Sequence, residues 1–181
     1  MLWLHASAMF ISIAALCLAV ALVVIALIPG SPVTQALPAH GSRLFTVTPR
    51  GTAVTLTGHE AESAANTLAG NASVTDCSAC SNGKKVGNLY LGGTLTFNDV
   101  VVAKAGTYQI KVSYISGDAR SVDISANGGG ATRHKLPATG DWGTVSSVYV
   151  PVTLKAGANT ITFDSGTGYA PDIDRIDVPK S

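Results

Sequence analysis

Regular alternation of apolar and polar side chains is the feature that most limits how this 181-residue chain can fold. In residues 108–114 every second side chain is apolar, and the residues between them are polar. Successive side chains of a β-strand point to opposite faces of a sheet, so this pattern predicts a strand with one buried face. Residues 122–126 repeat the pattern and end at Asn127-Gly128-Gly129-Gly130, which is a turn signal.

Further short apolar runs, separated by turn residues, predict strands along most of the chain. No stretch after residue 40 has a convincing helical period apart from a turn near residues 61–68. We therefore expect an all-β fold, a jelly-roll β-sandwich of two antiparallel sheets, preceded by an N-terminal hydrophobic helix. The predicted strands are residues 53–57, 95–97 leading to 100–102, 108–114, 122–126, 145–154, 160–163 and 173–178.

The predicted hydrophobic helix lies in an uncharged segment, residues 6–28, that stops at Pro29-Gly30-Ser31-Pro32. The segment is longer than the usual signal-peptide core of roughly 7–15 residues, which favours a membrane anchor, whereas Thr34-Gln35-Ala36 offers a cleavage site. We expect residues 1–36 to form a signal peptide or membrane anchor, residues 37–51 a linker and residues 52–179 the β-sandwich. The protein is then secreted or displayed at the cell surface, and it stays membrane-anchored if the leader is not cleaved.

Charge gives no sign of a nucleic-acid partner. The formal net charge is +1 and only 13% of the residues are charged, whereas a nucleic-acid surface needs a concentrated basic patch. We expect a monomer that contacts a membrane only through the leader.

Two of the three cysteines, Cys77 and Cys80, stand close together in a polar loop. A small-loop disulfide, half of a zinc site and a redox pair are three competing interpretations. A four-thiolate zinc site needs a second cysteine pair, and a mixed site with His59 and His134 would follow no known spacing. A redox pair belongs at the start of a helix. A disulfide between Cys77 and Cys80 is the favoured interpretation, and it agrees with export.

The only glutamates in the chain, Glu60 and Glu62, stand two residues apart. If this run is a strand, both carboxylates point to one face and repel each other, most strongly where water is scarce. A cation between them relieves the repulsion, and calcium suits carboxylate and carbonyl oxygens best. The alternative is a pair of solvated charges on an edge strand.

Enzyme signatures are mostly absent, but aromatic residues stand in turn-rich segments. There is no Gly-x-Ser-x-Gly sequence and no His-Glu-x-x-His sequence. Trp142 and Tyr169 lie among glycine, aspartate and threonine, and Asn88 and Tyr90 follow another glycine. Sugars stack on aromatic faces and exchange hydrogen bonds with amides and carboxylates, so these residues suggest a sugar site. The alternative is that Trp142 and Tyr90 close the ends of the sandwich.

An ordered set of motifs resembles carbohydrate-binding modules of family 35 and the related family 6, which share a galactose-binding-like β-sandwich. The resemblance covers residues 58–178. The motifs are Glu60-Ala61-Glu62, Gly83-Lys84-Lys85-Val86-Gly87, Gly93-Thr94-Leu95-Thr96-Phe97, Ala105-Gly106-Thr107-Tyr108, Gly140-Asp141-Trp142, Leu154-Lys155-Ala156-Gly157-Ala158-Asn159-Thr160-Ile161 and Ala170-Pro171-Asp172-Ile173-Asp174-Arg175-Ile176.

The resemblance implies a calcium-binding jelly roll that recognises a polysaccharide or oligosaccharide and has no catalytic activity. Glu60, Glu62 and Asp174 correspond to the calcium carboxylates, with Asp177 as the substitute for Asp174 and backbone carbonyls near residues 76–84 completing the shell. The sugar-binding positions correspond to Asn88, Tyr90, Trp142, Tyr169 and Asp172. Family 6 relatives often carry Asn where this chain has Asp172.

The sequence therefore predicts an exported, non-enzymatic carbohydrate-binding module stabilised by Ca²⁺. Two alternatives remain: a surface structural or adhesion domain that binds a protein partner, and a small glycan-acting enzyme that uses aspartates.

Overall fold

The computed structural model describes residues 54–166 and 168–180, together with the backbone of two short strands, β1 (Val33–Gln35) and β2 (Phe45–Val47). The chain forms two compact units, Met1–Ala53 and Val54–Ser181. In the first unit β1 and β2 pair antiparallel, with Val33 opposite Val47. The predicted hydrophobic helix and most of the predicted leader and linker lie outside the described residues. Within the described part of the chain, no helix has the length and apolar character needed to cross a membrane.

The second unit is an all-β sandwich, as the alternating patterns predict, with two antiparallel sheets. The first sheet has the strand order β11-β8-β13-β6-β5, and β3 pairs with the same side of β13 as β6 but further along the strand. Its strands are β3 (Leu56–Glu60), β5 (Ser73–Asp76), β6 (Lys84–Gly87), β8 (Gly106–Ile115), β11 (Ser146–Leu154) and β13 (Asp172–Pro179).

The second sheet has the strand order β10-β9-β12-β7-β4. Its strands are β4 (Thr67–Ala69), β7 (Thr94–Val102), β9 (Arg120–Ala126), β10 (Thr132–Leu136) and β12 (Gly157–Asp164). One core fills the space between the two sheets, because both sheets turn most of their apolar side chains inward. Ile110 and Val112 of β8 and Val122 and Ile124 of β9 are all buried there.

Two predicted strand assignments were incomplete. The runs 95–97 and 100–102 belong to one strand, β7, which continues through a positive φ of 55° at Asp99. The first strand of the sandwich begins at Leu56 rather than at residue 53, and it ends at Glu60. The strands β4, β5, β6 and β10 were not predicted, because each has only three to five residues and no run of alternating apolar side chains.

The first strand of the sandwich pairs with its last. Leu56 of β3 lies opposite Pro179 of β13, and the backbone N–H of Lys180 donates a 2.7 Å hydrogen bond to the carbonyl of Thr55. The two ends of the sandwich are therefore neighbours in one sheet.

Candidate functional site

Loops at one end of the sandwich enclose a cleft of about 350 Å³, which we call the first cleft. The structure brings together here all five residues that the sequence resemblance assigns to sugar binding. The cleft is lined by Asn88, Leu89, Tyr90, Arg120, Trp142, Tyr169, Ala170 and Asp172.

Two tyrosines from different loops meet in the first cleft. The ring centres of Tyr90 and Tyr169 are 4.7 Å apart, and the ring planes are tilted by 34°. The loops are joined directly, since the N–H of Ala170 donates a 3.1 Å hydrogen bond to the carbonyl of Leu89. Tyr169 keeps 60% of its surface exposed, so its ring is accessible to a ligand.

Trp142 sits on a loop that hydrogen bonds fix to the segment after β8. The backbone N–H of Thr139 donates to the carbonyl of Ser116 at 2.7 Å, and the N–H of Gly143 donates to Asp141 Oδ1 at 2.8 Å. This second bond is the main reason why the pKa of Asp141 is lowered. Trp142 is 44% exposed, which fits a ligand contact better than the alternative of a core plug.

The indole of Trp142 packs against Gly117 and under Arg120. A Cβ atom at Gly117 would lie 2.4 Å from the indole Nε1, so only glycine leaves room for the ring in this position. The guanidinium carbon of Arg120 lies 4.4 Å from the centre of the Trp142 ring and 5.5 Å from that of Tyr169. A guanidinium at this distance is attracted by the electron-rich ring face. Arg120 also donates through Nη1 to the carbonyl of Ala170 at 3.2 Å.

Asp172 forms a well-shielded ion pair at the base of the first cleft. Its Oδ2 lies 2.8 Å from Lys85 Nζ, and the side chains are 18% and 11% exposed. A Cβ atom at Gly87 would lie 2.7 Å from Asp172 Oδ1, so the glycine allows the carboxylate to approach the backbone. Lys85 thus fixes the orientation of an acceptor that faces the cleft.

Asn88 stands on the rim of the first cleft in the left-handed region, with φ of 60°. Asparagine tolerates this conformation better than most residues. Its Nδ2 donates a 2.8 Å hydrogen bond to Ser73 Oγ, which fixes the amide plane.

Sequence reasoning missed Arg120 and Lys85. Lys85 lies within the motif Gly83-Lys84-Lys85-Val86-Gly87, but nothing in the sequence around it indicates that it pairs with Asp172. Arg120 opens β9 after the exposed residues Asp118 and Ala119, and nothing in this segment predicts its contact with two aromatic rings.

Apart from the first cleft, three acidic side chains approach each other beside the β3–β13 pair. Glu60 ends β3, Asp174 lies in β13 and is 3% exposed, and Glu62 follows in a turn. The expectation that Glu60 and Glu62 share one strand face was wrong. The side-chain amide of Asn66 donates to the carbonyls of Glu60 and Ala61 at 2.8 and 3.0 Å, and the chain turns there.

Ser81 connects two of these carboxylates. Its hydroxyl donates a 2.8 Å hydrogen bond to Glu60 Oε1, and its N–H donates a 2.9 Å bond to Asp174 Oδ1. Arg175 Nη1 also lies 3.1 Å from Glu60 Oε1, while its Nε donates to Asp177 Oδ1 at 3.1 Å. Asp177 therefore already forms an ion pair with Arg175.

Burial of Asp174 raises its pKa to about 6, and the nearby charges of Glu60 and Glu62 add to the rise, whereas the Ser81 N–H and Arg175 oppose it. The Oε2 atoms of both Glu60 and Glu62 are buried without a hydrogen-bond partner among the described residues. Unpartnered buried carboxylate oxygens are costly.

These orphaned oxygens fit a hard cation such as Ca²⁺. Within the described residues, however, no group of three or more His, Cys, Asp or Glu side chains is arranged so that it could hold a metal ion as it stands. Backbone carbonyls would have to supply the remaining ligands. Glu60, Glu62 and Asp174 are the residues that would hold the ion.

The disulfide prediction is confirmed. Cys77 and Cys80 are bonded, with their Cα atoms 5.3 Å apart, and they pack with Ile115 and Val145 in a small apolar cluster. Their thiolates are therefore not available to zinc or to a dithiol redox cycle. The bridge directly precedes Ser81, so it fixes the residue that bonds Glu60 and Asp174.

A larger pocket of about 510 Å³ lies elsewhere, near Asn98, Asn127 and Asn159. Its amides already serve the fold, since Asn159 Nδ2 donates to the carbonyls of Val100, Lys155 and Gly157. None of the described residues that line this pocket is aromatic. It is therefore less suited to a sugar than the first cleft.

The profile of the family described as carbohydrate binding module (family 6) matches residues 60–180. A solved family 35 carbohydrate-binding module from Clostridium thermocellum is 38% identical, with a TM-score of 0.67 over 69% of this chain and 99% of that chain. The chain belongs to the carbohydrate-binding modules of families 6 and 35.

Two further solved structures place this carbohydrate-binding module among its relatives. The exo-β-1,3-galactanase of Phanerochaete chrysosporium, solved with β-1,3-galactotriose, is 35% identical with a TM-score of 0.66. The match covers 70% of this chain and only 30% of the galactanase, so the module corresponds to about a third of that enzyme. A family 35 module from Paenibacillus barcinonensis is 26% identical, with a TM-score of 0.64 over 69% of this chain and 99% of that chain. No curated protein matches the chain significantly.

Proposed function

We propose that this carbohydrate-binding module binds its sugar in the first cleft, without catalysis. The observation that carries this proposal is the meeting of Tyr90, Trp142, Tyr169 and Asp172 with Arg120 in one cleft. The accessible ring of Tyr169 offers a stacking face, Arg120 offers donors, and Asp172 offers a fixed acceptor. An aromatic wall that carries a few precisely placed polar groups is typical of a small-ligand site.

The composition of the first cleft supports binding rather than hydrolysis. Among its described lining residues the only carboxylate is that of Asp172, which is paired with Lys85. Most glycoside hydrolases need two carboxyl groups on either side of the scissile bond.

The sugar that we propose is galactose or a β-1,3-linked galactose chain. The support is the galactanase, which is 35% identical to this chain over its matching part and was solved with β-1,3-galactotriose. The cleft itself agrees with an uncharged sugar, since Lys85 is neutralised by Asp172 and Arg120 Nε pairs with Asp118 Oδ2 at 3.2 Å.

We further propose that Ca²⁺ binds at Glu60, Glu62 and Asp174 and stabilises the fold, and that the protein is exported. The two orphaned glutamate oxygens support the calcium site. The Cys77–Cys80 disulfide supports export, because structural disulfides persist in oxidising compartments.

Titration calorimetry of the full-length protein with galactose and with β-1,3-galactotriose tests the sugar proposal. We expect binding that Tyr169→Ala weakens by more than tenfold. Tyr149→Ala is the matched control, because Tyr149 is equally exposed, at 62%, but lies on β11 outside the cleft. Equal losses in both variants would contradict a site at the first cleft, and binding of neither sugar would contradict galactose as the ligand.

A further inference from the structure

A second cleft of about 360 Å³ adjoins the first one and shares Arg120 and Tyr169 with it. Its other polar lining residues include Asp118, Ser121, Arg133 and Ser165. Because the two clefts share two side chains, they form adjacent parts of one surface. Each volume is near the lower end of small-ligand sites, which span about 300–1,000 Å³. A single short ligand therefore fills one cleft, and a longer one reaches both.

The shared residues can contact a ligand on either side. Tyr169 is 60% exposed, although its ring lies against Tyr90 and Arg120. Arg120 donates through Nε to Asp118 and through Nη1 to Ala170. Its Nη2 has no hydrogen-bond partner among the described residues, so it remains a donor for a sugar hydroxyl.

Arg133 supplies the second cleft with another fixed donor. Its Nε and Nη2 bond the two carboxylate oxygens of Asp123 at 2.9 and 2.7 Å, and Nη2 also donates to the carbonyl of Ser165 at 3.2 Å. This bidentate geometry orients the guanidinium, and Nη1 has no partner within the described part of the chain. Both arginines are already paired with aspartates, so the second cleft favours a neutral polar ligand over an anion.

We propose that the two clefts are consecutive subsites of one groove, and that the second takes the neighbouring uncharged sugar residue of an oligosaccharide. This inference rests on the proposed function of the first cleft. A second linked sugar binds with a high effective concentration once the first is held, so a small additional contact gives a large gain in affinity.

The experiment compares galactose with β-1,3-galactotriose by titration calorimetry on the full-length protein. We expect the trisaccharide to bind at least tenfold more tightly. In Arg133→Ala the ratio of the dissociation constant for galactose to that for β-1,3-galactotriose should fall to less than threefold. Lys135→Ala is the matched control, because Lys135 is exposed two residues further along β10 and does not line either cleft.

A blocking variant covers the case in which Arg133→Ala disturbs the fold. Ala119 is exposed and lines the second cleft, so Ala119→Tyr fills it while leaving the arginine pairs intact, and it should lower the ratio in the same way. Equal affinities of the unchanged protein for the two sugars, or an unchanged ratio in Ala119→Tyr, would overturn the second subsite and leave the first cleft standing. Failure of both sugars to bind would overturn galactose recognition and the subsite together.

Discussion

Arg120 and Trp142 form a stacked pair, with the guanidinium carbon 4.4 Å from the centre of the indole ring. The pair joins the start of β9 to the loop before β11. Trp142 consequently has two roles in the first cleft: its exposed part forms the wall, and its covered part holds the donor side chain of Arg120 in place.

Trp142→Ala should weaken sugar binding by more than tenfold while the protein stays folded. Truncation of an anchor residue commonly costs ~2 kcal/mol or more of binding free energy, and Trp142 is too exposed to support the core. Calorimetry measures the affinity, and circular dichroism checks the fold. An unfolded variant would show that the indole is a core plug after all.

Gly117→Ala should also weaken sugar binding, although it replaces none of the residues that line the first cleft. The added methyl group would meet the Trp142 ring at 2.4 Å, so the indole must move. Gly143→Ala is the matched control, because its methyl group would meet only Asp141 Oδ1 at an ordinary 3.6 Å. Similar affinities for the two variants would contradict the positioning role of Gly117.

Calcium should raise the melting temperature of the protein, and a chelator should reverse the effect. Binding to the folded state alone stabilises it by about 2.7 kcal/mol when the ion is at one hundred times its dissociation constant. Glu60→Gln combined with Glu62→Gln should abolish the response, whereas Asp76→Asn, at an exposed carboxylate of β5, should retain it. A melting temperature that changes with neither calcium nor chelator would contradict the calcium site.

Ser81→Ala should destabilise the protein by about 1.5–3 kcal/mol, because hydrogen bonds to charged groups are lost. The variant removes the hydrogen bond from the hydroxyl to Glu60 and the one that the hydroxyl accepts from Arg175 Nη1, but it keeps the N–H that bonds Asp174. Ser78→Ala is the control, since Ser78 is exposed in the disulfide loop that directly precedes Ser81. Urea denaturation gives the free energies of unfolding, and equal values for the two variants would refute the role assigned to the Ser81 hydroxyl.

In the metal-free protein, the stability contributed by Asp174 should increase as the pH falls from 7 to 5. The pKa of Asp174 is about 6 in the folded state and near the ordinary 3.8 in the unfolded chain, so between these values only the folded state binds the proton. Burial lowers the pKa of His59 and His134, and their contributions change in the opposite direction.

Comparison with Asp174→Asn isolates the aspartate from the histidines. Denaturation in chelator should show that the stability of the unchanged protein rises relative to Asp174→Asn as the pH falls. A difference that is the same at pH 7 and pH 5 would contradict the raised pKa.

The sequence predicts those parts of the fold and site that depend on local pattern. Strand β8 is long enough to show alternation, and its apolar residues Ile110, Val112 and Tyr114 are buried, although Ser113 between them is buried as well. Trp142 and Tyr169 stand among turn residues, and both are exposed at the cleft. The exposure of Trp142 and Tyr169 could be predicted from the local sequence because few other segments pack against them.

Other features depend on contacts between distant segments and leave no local pattern. The stacking of Arg120 on Trp142 joins residues 22 positions apart, and the bond from Ser81 to Glu60 spans 21 positions. The local sequence is compatible with a strand that continues to Glu62. In the structure, however, the side-chain amide of Asn66 bonds the carbonyls of Glu60 and Ala61, and the chain turns there. Here the contact is with a residue only five or six positions away, so a side-chain hydrogen bond overrides the strand preference at that point.

The pairing of β3 with β13 has a mechanical consequence. Thr55 and Lys180 lie side by side at the same end of this strand pair, and antiparallel hydrogen bonds run perpendicular to the strands. A force that pulls the two ends apart therefore opens the bonds one after another, as in a zipper, instead of loading all of them at once. We expect the sandwich to yield at low force when it is stretched between its two ends.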